Sequence, residues 1–314
     1  MNGNIIVIIL GIIYSCVLHI ARSMQRLGIH SFDRFRQHLT RKAPLLSPAG
    51  KHHIYIIGLL LSNLCVVFVI LAGKYGTISY FTAMYGIGML PMLLFTKYVM
   101  KERSGVQNWV GVIIVIIGGF IMSLAARNSL PVNYSLVNIK TLLLILLVTG
   151  LISPLIIING KKSGHLFKDA MHVGLIAGLI AALDPILKAT GQNLAGANGF
   201  IPDNTIGWLL FILSFAASSA AMLITQHAYS RRVFVSQLIP FYNVAYITLP
   251  IIIQILILPH YLPGKFEITG LICIITGMVI FSEKDLRLTR NADILKAEKS
   301  VESRKNRGIE GVTD

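Results

Sequence analysis

Asp184 is the acid lying well inside an apolar stretch, in the run Ala182-Leu-Asp-Pro-Ile-Leu-Lys188. A charge near the middle of a bilayer costs on the order of 2.5–3.5 kcal/mol on insertion scales, so an acid placed there is seldom idle. Pro185 follows it, so a break in the helix there would free backbone carbonyls beside the carboxylate. Lys188 stands four residues on, on the same helical face and in the favourable acid-first order. Two readings stay open. Asp184 could bind a coupling ion, a proton or a substrate group, or it could be neutralised by Lys188 in a pair that snorkels toward the outer surface. Other polar side chains occur within apolar stretches: Ser62 and Asn63, Thr225 and Gln226, and Tyr242, Asn243, Tyr246 and Gln254. Tyr242 and Tyr246 share a helical face, as do Asn243 and Tyr246. Singly, such groups often just bond a neighbouring helix, for about 0.6 kcal/mol on average. Together with Asp184 they suit a neutral or zwitterionic organic solute better than a bare cation. His19 and His227 fall near the ends of apolar stretches, where an interfacial place is expected, and Glu102, between Lys101 and Arg103, reads as structural.

Other chemistry is poorly represented. The chain has no Gly-x-Ser-x-Gly, no His-Glu-x-x-His, no phosphate-cradling Gly-x4-Gly-Lys-Ser/Thr and no aspartate-rich metal motif. No enzyme, cofactor or metal ion is therefore expected. His52-His53 stands alone. The three cysteines, Cys16, Cys65 and Cys273, all lie in apolar stretches without metal-ligand spacing. The net charge of +15 is not arranged as a nucleic-acid surface, because the basic residues sit between and after apolar blocks without interleaved aromatics.

The elements that must position these residues follow from composition. Of 314 residues, 54% are hydrophobic and only 13% charged, and mean hydropathy is +0.72. Soluble domains carry about a quarter charged residues. Here the apolar residues come in blocks near the length that crosses about 30 Å of hydrocarbon. Nine such segments can be drawn: Asn4–Ala21, Ile54–Gly73, Ile78–Phe95, Trp109–Leu124, Leu142–Ile158, Met171–Ala189, Trp208–Thr225, Leu238–Leu258 and Ile268–Phe281. Hydrocarbon forces each into a helix, since an unpaired backbone group there costs several kcal/mol. The expected fold is all-α and polytopic. The first segment has no Lys or Arg before it and no small-x-small site after it, so it is expected to stay as a helix rather than be cleaved.

Cytoplasmic loops retain Lys and Arg. With the N-terminus outside and the C-terminus inside, 23 of the 28 basic residues fall on the inner side and four outside, Lys188 being within a helix. The inner set includes a basic loop, 22–53, and a basic tail, 284–314, whose end lacks the apolar residues to fold. Within the loop, Leu27, Ile29, Phe32, Phe35 and Leu39 are spaced either for a short helix on the membrane surface or for an ordered basic loop. A plasma membrane, the inner one in a bacterium, is the expected site.

The chain also repeats. Gly111-Val-Ile-Ile-Val-Ile-Ile-Gly118 is similar to Gly270-Leu-Ile-Cys-Ile-Ile-Thr-Gly277, and at the same offset Leu90-Pro91 meets Leu249-Pro250. The matched segments cross in opposite senses. The expected layout is therefore an inverted repeat: four helices in 1–126, a connecting fifth in 127–168, and four more in 169–283. Gly111, Gly118, Gly270 and Gly277 would let helices approach closely, and Pro91 and Pro250 would kink their helices at equivalent depths.

These residues resemble the drug/metabolite transporter superfamily, EamA-like. The resemblance rests on the half-repeat ending, a helix followed by Lys101-Glu102-Arg103 and a Gly-x6-Gly helix, repeated more loosely in Leu262–Ser282. The nine-span layout, the long basic first loop, and Tyr242-Asn243 with Tyr246 after a basic turn are similar to the NIPA-like magnesium transporter branch. That resemblance implies alternating access about a midplane site. The branch typically carries an acid in its second helix, where this chain has the neutral Ser62-Asn63, and divalent cations normally want carboxylates. A small organic metabolite, moved with protons through Asp184, is the expected substrate. Mg²⁺ is the close alternative, and a lipid or glycolipid flippase or a membrane-embedded enzyme come after it. Candidate site residues are Asp184, Lys188, Ser62, Asn63, Gln226, Tyr242, Asn243 and Tyr246. The expected partners are the bilayer and the solute or cation, without nucleic acid, and with homodimerisation left open.

Overall fold

The computed structural model describes residues 3–39, 52–101, 105–128, 132–160, 166–194, 199–230, 233, 235–259 and 261–281. The basic tail, residues 40–51 of the basic loop, and Glu102 with Arg103 lie outside them. Among the described residues the protein is all-α, with no strand. The helices are α1 (Gly3–Leu39), α2 (His52–Leu64), α3 (Val66–Tyr75), α4 (Ile78–Ala83), α5 (Met89–Tyr98), α6 (Val106–Asn128), α7 (Ile139–Gly160), α8 (Leu166–Asn193), α9 (Thr205–Ser230), α10 (Val235–Ile257) and α11 (265–281). Among the described residues, seven stretches are long and apolar enough to cross a membrane. They are Gly3–Ile29, His53–Tyr75, Ile78–Tyr98, Val106–Ala126, Ala170–Asn193, Thr205–Ser230 and Gln237–Ile257. Shorter apolar helices cover Ile139–Ser153 and 265–281.

Burial separates the centre from the rim. The α4–α5 span is 72% buried, and α8 and α10 are each 67% buried, whereas the α2–α3 span is 17% and α9 28% buried. The exposed side chains on the outer helices are those that lipid would solvate, such as Leu60, Leu64, Ile212 and Leu223. Packing is pairwise: α1 lies on α2 and on the α4–α5 span, α8 lies on α9 and α10, and α7 leans on α8 and α10.

Two local features position the site. The Ile78–Tyr98 span is interrupted by a 3₁₀ turn, Met84–Gly88. Pro91, with no N–H, cannot bond the carbonyl four residues back at Ile87, and the regular ladder fails there. Ser15 of α1 splices the break, donating from Oγ to the Tyr85 carbonyl and accepting from the Gly88 N–H at 2.8 Å. A Cβ on Gly88 would collide with Ser15 and His19. Pro250 behaves differently, since α10 stays a continuous α-helix through Pro240 and Pro250. The two prolines thus do not produce equivalent backbones.

The second feature is the contact between α6 and α11. A Cβ on Gly111 would strike the carbonyl of Gly277, and one on Gly118 would strike that of Gly270. The lower-numbered glycine of each row meets the higher-numbered glycine of the other, so the helices run antiparallel with their backbones nearly touching. Asn108 on α6 closes the end of this contact, its Nδ2 donating to the Phe281 carbonyl at 3.0 Å.

The expectation for the first loop needs correction. α1 does not end at Ala21 but runs unbroken to Leu39, and Arg22 and Arg26 are buried in it rather than free in a basic loop. The helical face continues because Leu18, Arg22, Gln25 and Ile29 repeat at helical spacing into the protein. Arg26 Nε donates to the Val233 carbonyl at 3.0 Å, which holds it against the start of α10.

Candidate functional site

A cavity of about 160 Å³ lies among α1, α2–α3, α8, α9 and α10. Its α1 wall comes from Tyr14, Leu18, Arg22 and Gln25, which recur every three or four residues along one face. Opposite stand Ala181 and Asp184 of α8 and Tyr242 and Tyr246 of α10. The sides are Ser62, Asn63, Cys65, Val66 and Val69 from the α2–α3 span and Ser218, Ser219, Thr225 and Gln226 from α9.

Of the eight residues singled out from sequence, Asp184, Ser62, Asn63, Gln226, Tyr242 and Tyr246 line this one space. Lys188 stands just behind it, hydrogen-bonded to Asp184 Oδ1 and with its Nζ 4.3 Å from the ring centroid of Phe215. The pair is formed and buried: Lys188 is fully enclosed, so it does not snorkel to the surface. Asn243 points elsewhere, its Nδ2 lying 3.3 Å from His19 Nε2. Pro91 and the four repeat glycines belong to the scaffold.

The residues that sequence reading missed are Arg22, His19, Gln25, Tyr14 and Tyr85. His19, expected at an interface, is completely buried, with Nδ1 2.9 Å from the Ser15 carbonyl oxygen. It belongs to an aromatic cluster with Tyr85, Tyr246, Tyr242 and Tyr14. Tyr85 and Tyr246 lie 4.4 Å apart between centroids, and the Tyr14 and Tyr246 hydroxyls are 3.2 Å apart. The cluster fastens α1, the 3₁₀ turn and α10 at the cavity's inner wall. Gln25 forms the core of a polar chain: Nε2 donates to Ser62 Oγ at 2.8 Å and to the Gly58 carbonyl at 3.0 Å, while Oε1 accepts from Gln226. Tyr55 donates to Gln226 at 3.4 Å. That chain ties α1, α2 and α9 together at one end of the cavity.

Arg22 sets the charge of the space. Its guanidinium carbon stands 4.0 Å from the Tyr242 ring centroid, a cation–π contact. The side chain is 9% exposed, and its Nη1 has no hydrogen-bond partner. An arginine keeps its proton in proteins, so burial cannot neutralise it. Among the described residues lining the cavity, Asp184 is the one carboxylate, and Lys188 already holds it. The lining thus carries an uncompensated positive charge. No group of three or more His, Cys, Asp or Glu residues that could hold a metal ion occurs among the described residues. Compared with known proteins, the chain matches no family model, no curated protein and no solved structure.

Proposed function

We propose that this chain is a secondary transporter of a small organic solute, working by alternating access between two inverted halves. The observation that carries the reading is the cavity itself: polar, partly at mid-span, and walled by α1–α3 from the first half and α8–α10 from the second. A polar space among apolar helices is costly unless something polar enters it. The inverted repeat draws support from packing. α1 sits on α2 and the third span as α8 sits on α9 and α10, and α6 meets α11 glycine to glycine, each row reversed on the other. With α7 and α11 counted as crossings there are nine spans, α7 being the connecting fifth. The basic-residue bias supports a topology with the N-terminus outside and the C-terminus in the cytoplasm, and the membrane we propose is the plasma membrane. This layout resembles the drug/metabolite transporter superfamily, EamA-like.

Asp184 is the group through which protons would couple. Protonation of its carboxylate would release Lys188 and change the charge of the wall. The Mg²⁺ alternative is disfavoured by Arg22, whose guanidinium sits in the same space and would repel a divalent cation. A flippase on the same fold is the second reading. It is favoured by Asn63, Ser218 and Ser219, which line the cavity yet are exposed at the middle of their helices, where lipid would lie.

The test uses purified protein in liposomes loaded with a pH dye and challenged with amino acids, monocarboxylates and nucleosides. Wild type should give a saturable dye response to at least one solute class, and Asp184→Asn should lose it. An undiminished response in the variant removes proton coupling through Asp184. A second vesicle set holding a Mg²⁺-sensitive dye decides the alternative, since Mg²⁺ entry through wild type overturns the organic-solute reading.

A further inference from the structure

We infer that the substrate is a single-chain anionic amphiphile, with its carboxylate or phosphate on Arg22 and its apolar tail leaving the cavity sideways between α2–α3 and α9. The inference rests on the transporter reading and names its substrate class.

Three observations carry it. The first is the orphaned donor. Arg22 lines the cavity, is nine-tenths buried with its guanidinium carbon 4.0 Å from the Tyr242 ring centroid, and has a buried Nη1 without a hydrogen-bond partner, while Asp184, the one carboxylate among the described lining residues, is already paired with Lys188. A guanidinium with an unpaired N–H matches a carboxylate or phosphate oxygen better than any neutral group does. The second is the pattern of exposure around the cavity. α2 leans on α1, and α9 leans on α8. Between them Asn63, Ser218 and Ser219 are exposed while still lining the cavity, and Phe215 is exposed beside them. All lie near the middle of helices long enough to span, so the opening faces the hydrocarbon and not water. The third is the closure below it. The Tyr55–Gln226–Gln25–Ser62 chain joins α2, α1 and α9 toward the end where α9 finishes. A ligand reaching Arg22 past that chain would have to break it, whereas one sliding in from the bilayer would not.

The balance of sizes agrees. A cavity of about 160 Å³ takes a head group but not a long chain, and drug-sized ligands occupy roughly 300–1,000 Å³. The remainder of a longer molecule must therefore stay in the opening, outside the cavity. A single chain fits because the opening is the gap between two helical spans.

The experiment places the full chain in nanodiscs of zwitterionic lipid and measures the thermal midpoint against decyl phosphate, methyl phosphate and decanol. Decyl phosphate should raise the midpoint saturably, decanol should not, and methyl phosphate should bind at least about tenfold more weakly. Arg22→Gln should weaken decyl phosphate about tenfold or more, since a charge-assisted bond is lost, with Arg22→Lys intermediate. Ser219→Phe, at an exposed position that tolerates bulk, should weaken decyl phosphate by narrowing the opening. Helicity measured by circular dichroism confirms that each variant is folded, and a variant that does not fold is replaced by Arg22→Met. Equal binding to wild type and Arg22→Gln, equal binding of methyl and decyl phosphate, or no binding at all overturns the inference. The pH-dye vesicles keep the two readings apart. Flux of short soluble anions with no tail preference removes the amphiphile and leaves transport. Binding at Arg22 with no flux of any solute removes transport and leaves the seat.

Discussion

Breaking the Asp184–Lys188 pair from its two ends should give unequal losses. Lys188 is fully enclosed by α8, α9 and the Phe215 ring, while Asp184 lies on the cavity wall. Asp184→Asn therefore strands an ammonium away from water, and removing one partner of a buried pair costs about 3–5 kcal/mol. Lys188→Met strands a carboxylate that cavity water can still reach, and it keeps an apolar stem against Phe215. Its loss should be nearer 1–3 kcal/mol, the desolvation cost of a partly served polar group. The double replacement Asp184→Leu/Lys188→Met removes both charges and should return to within about 1 kcal/mol of wild type, because buried pairs exchanged for apolar side chains are often neutral or better. The assay is reversible unfolding of the purified protein in mixed detergent micelles, followed by far-UV circular dichroism, for all four proteins. A double variant whose loss equals the sum of the single losses would show that the two side chains do not hold one another, and would refute the reasoning. So would equal single losses, which would mean that the cavity does not hydrate Asp184.

Two further outcomes follow from packing. Gly111→Ala places a Cβ against the Gly277 carbonyl and should cost about 1–3 kcal/mol by overpacking, whereas Gly150→Ala on α7, with open space around it, should be neutral; the same micellar titration compares them. Ser15→Ala removes the hydroxyl that bridges the Tyr85 carbonyl and the Gly88 N–H, and losing these two buried hydrogen bonds should cost about 1–3 kcal/mol. Faster amide exchange confined to 84–88 would accompany that loss, and unchanged exchange there would contradict the bridging role.

Sequence alone located the helices well because hydrocarbon leaves a chain so few options. Each of the nine apolar segments has a helix in the structure, although seven pass as full crossings by length and apolarity. The pairing of Asp184 with Lys188 was legible for the same reason, since i and i+4 share a face on any helix. What escaped was the far end of α1. Arg22 and Arg26 were read as marks of a loop, because Lys and Arg usually flank spans. Tertiary packing overrode that rule by supplying Tyr242 and the Val233 carbonyl as partners, neither of which is adjacent in sequence. The signal was present in the spacing of Tyr14, Leu18, Arg22 and Gln25, which keeps helical period across the assumed boundary. His19 escaped with them. The 3₁₀ turn was half legible: Pro91 announced a disturbance, but only the structure shows it displaced toward Met84 and absent at Pro250.

The glycine contact between α6 and α11 has a consequence for how such a chain could have been assembled. Gly111 answers Gly277 and Gly118 answers Gly270, so each row of two glycines is complementary to its own reversal. Two copies of α6 laid head to tail would make the same contact, Gly111 of one against Gly118 of the other. A half-length polypeptide inserted into the bilayer in both orientations could therefore have closed upon itself through this seam. On the inverted-repeat reading proposed above, duplication and fusion of such an ancestor would have needed only one added crossing, in the place of α7, to fix the two orientations in a single chain.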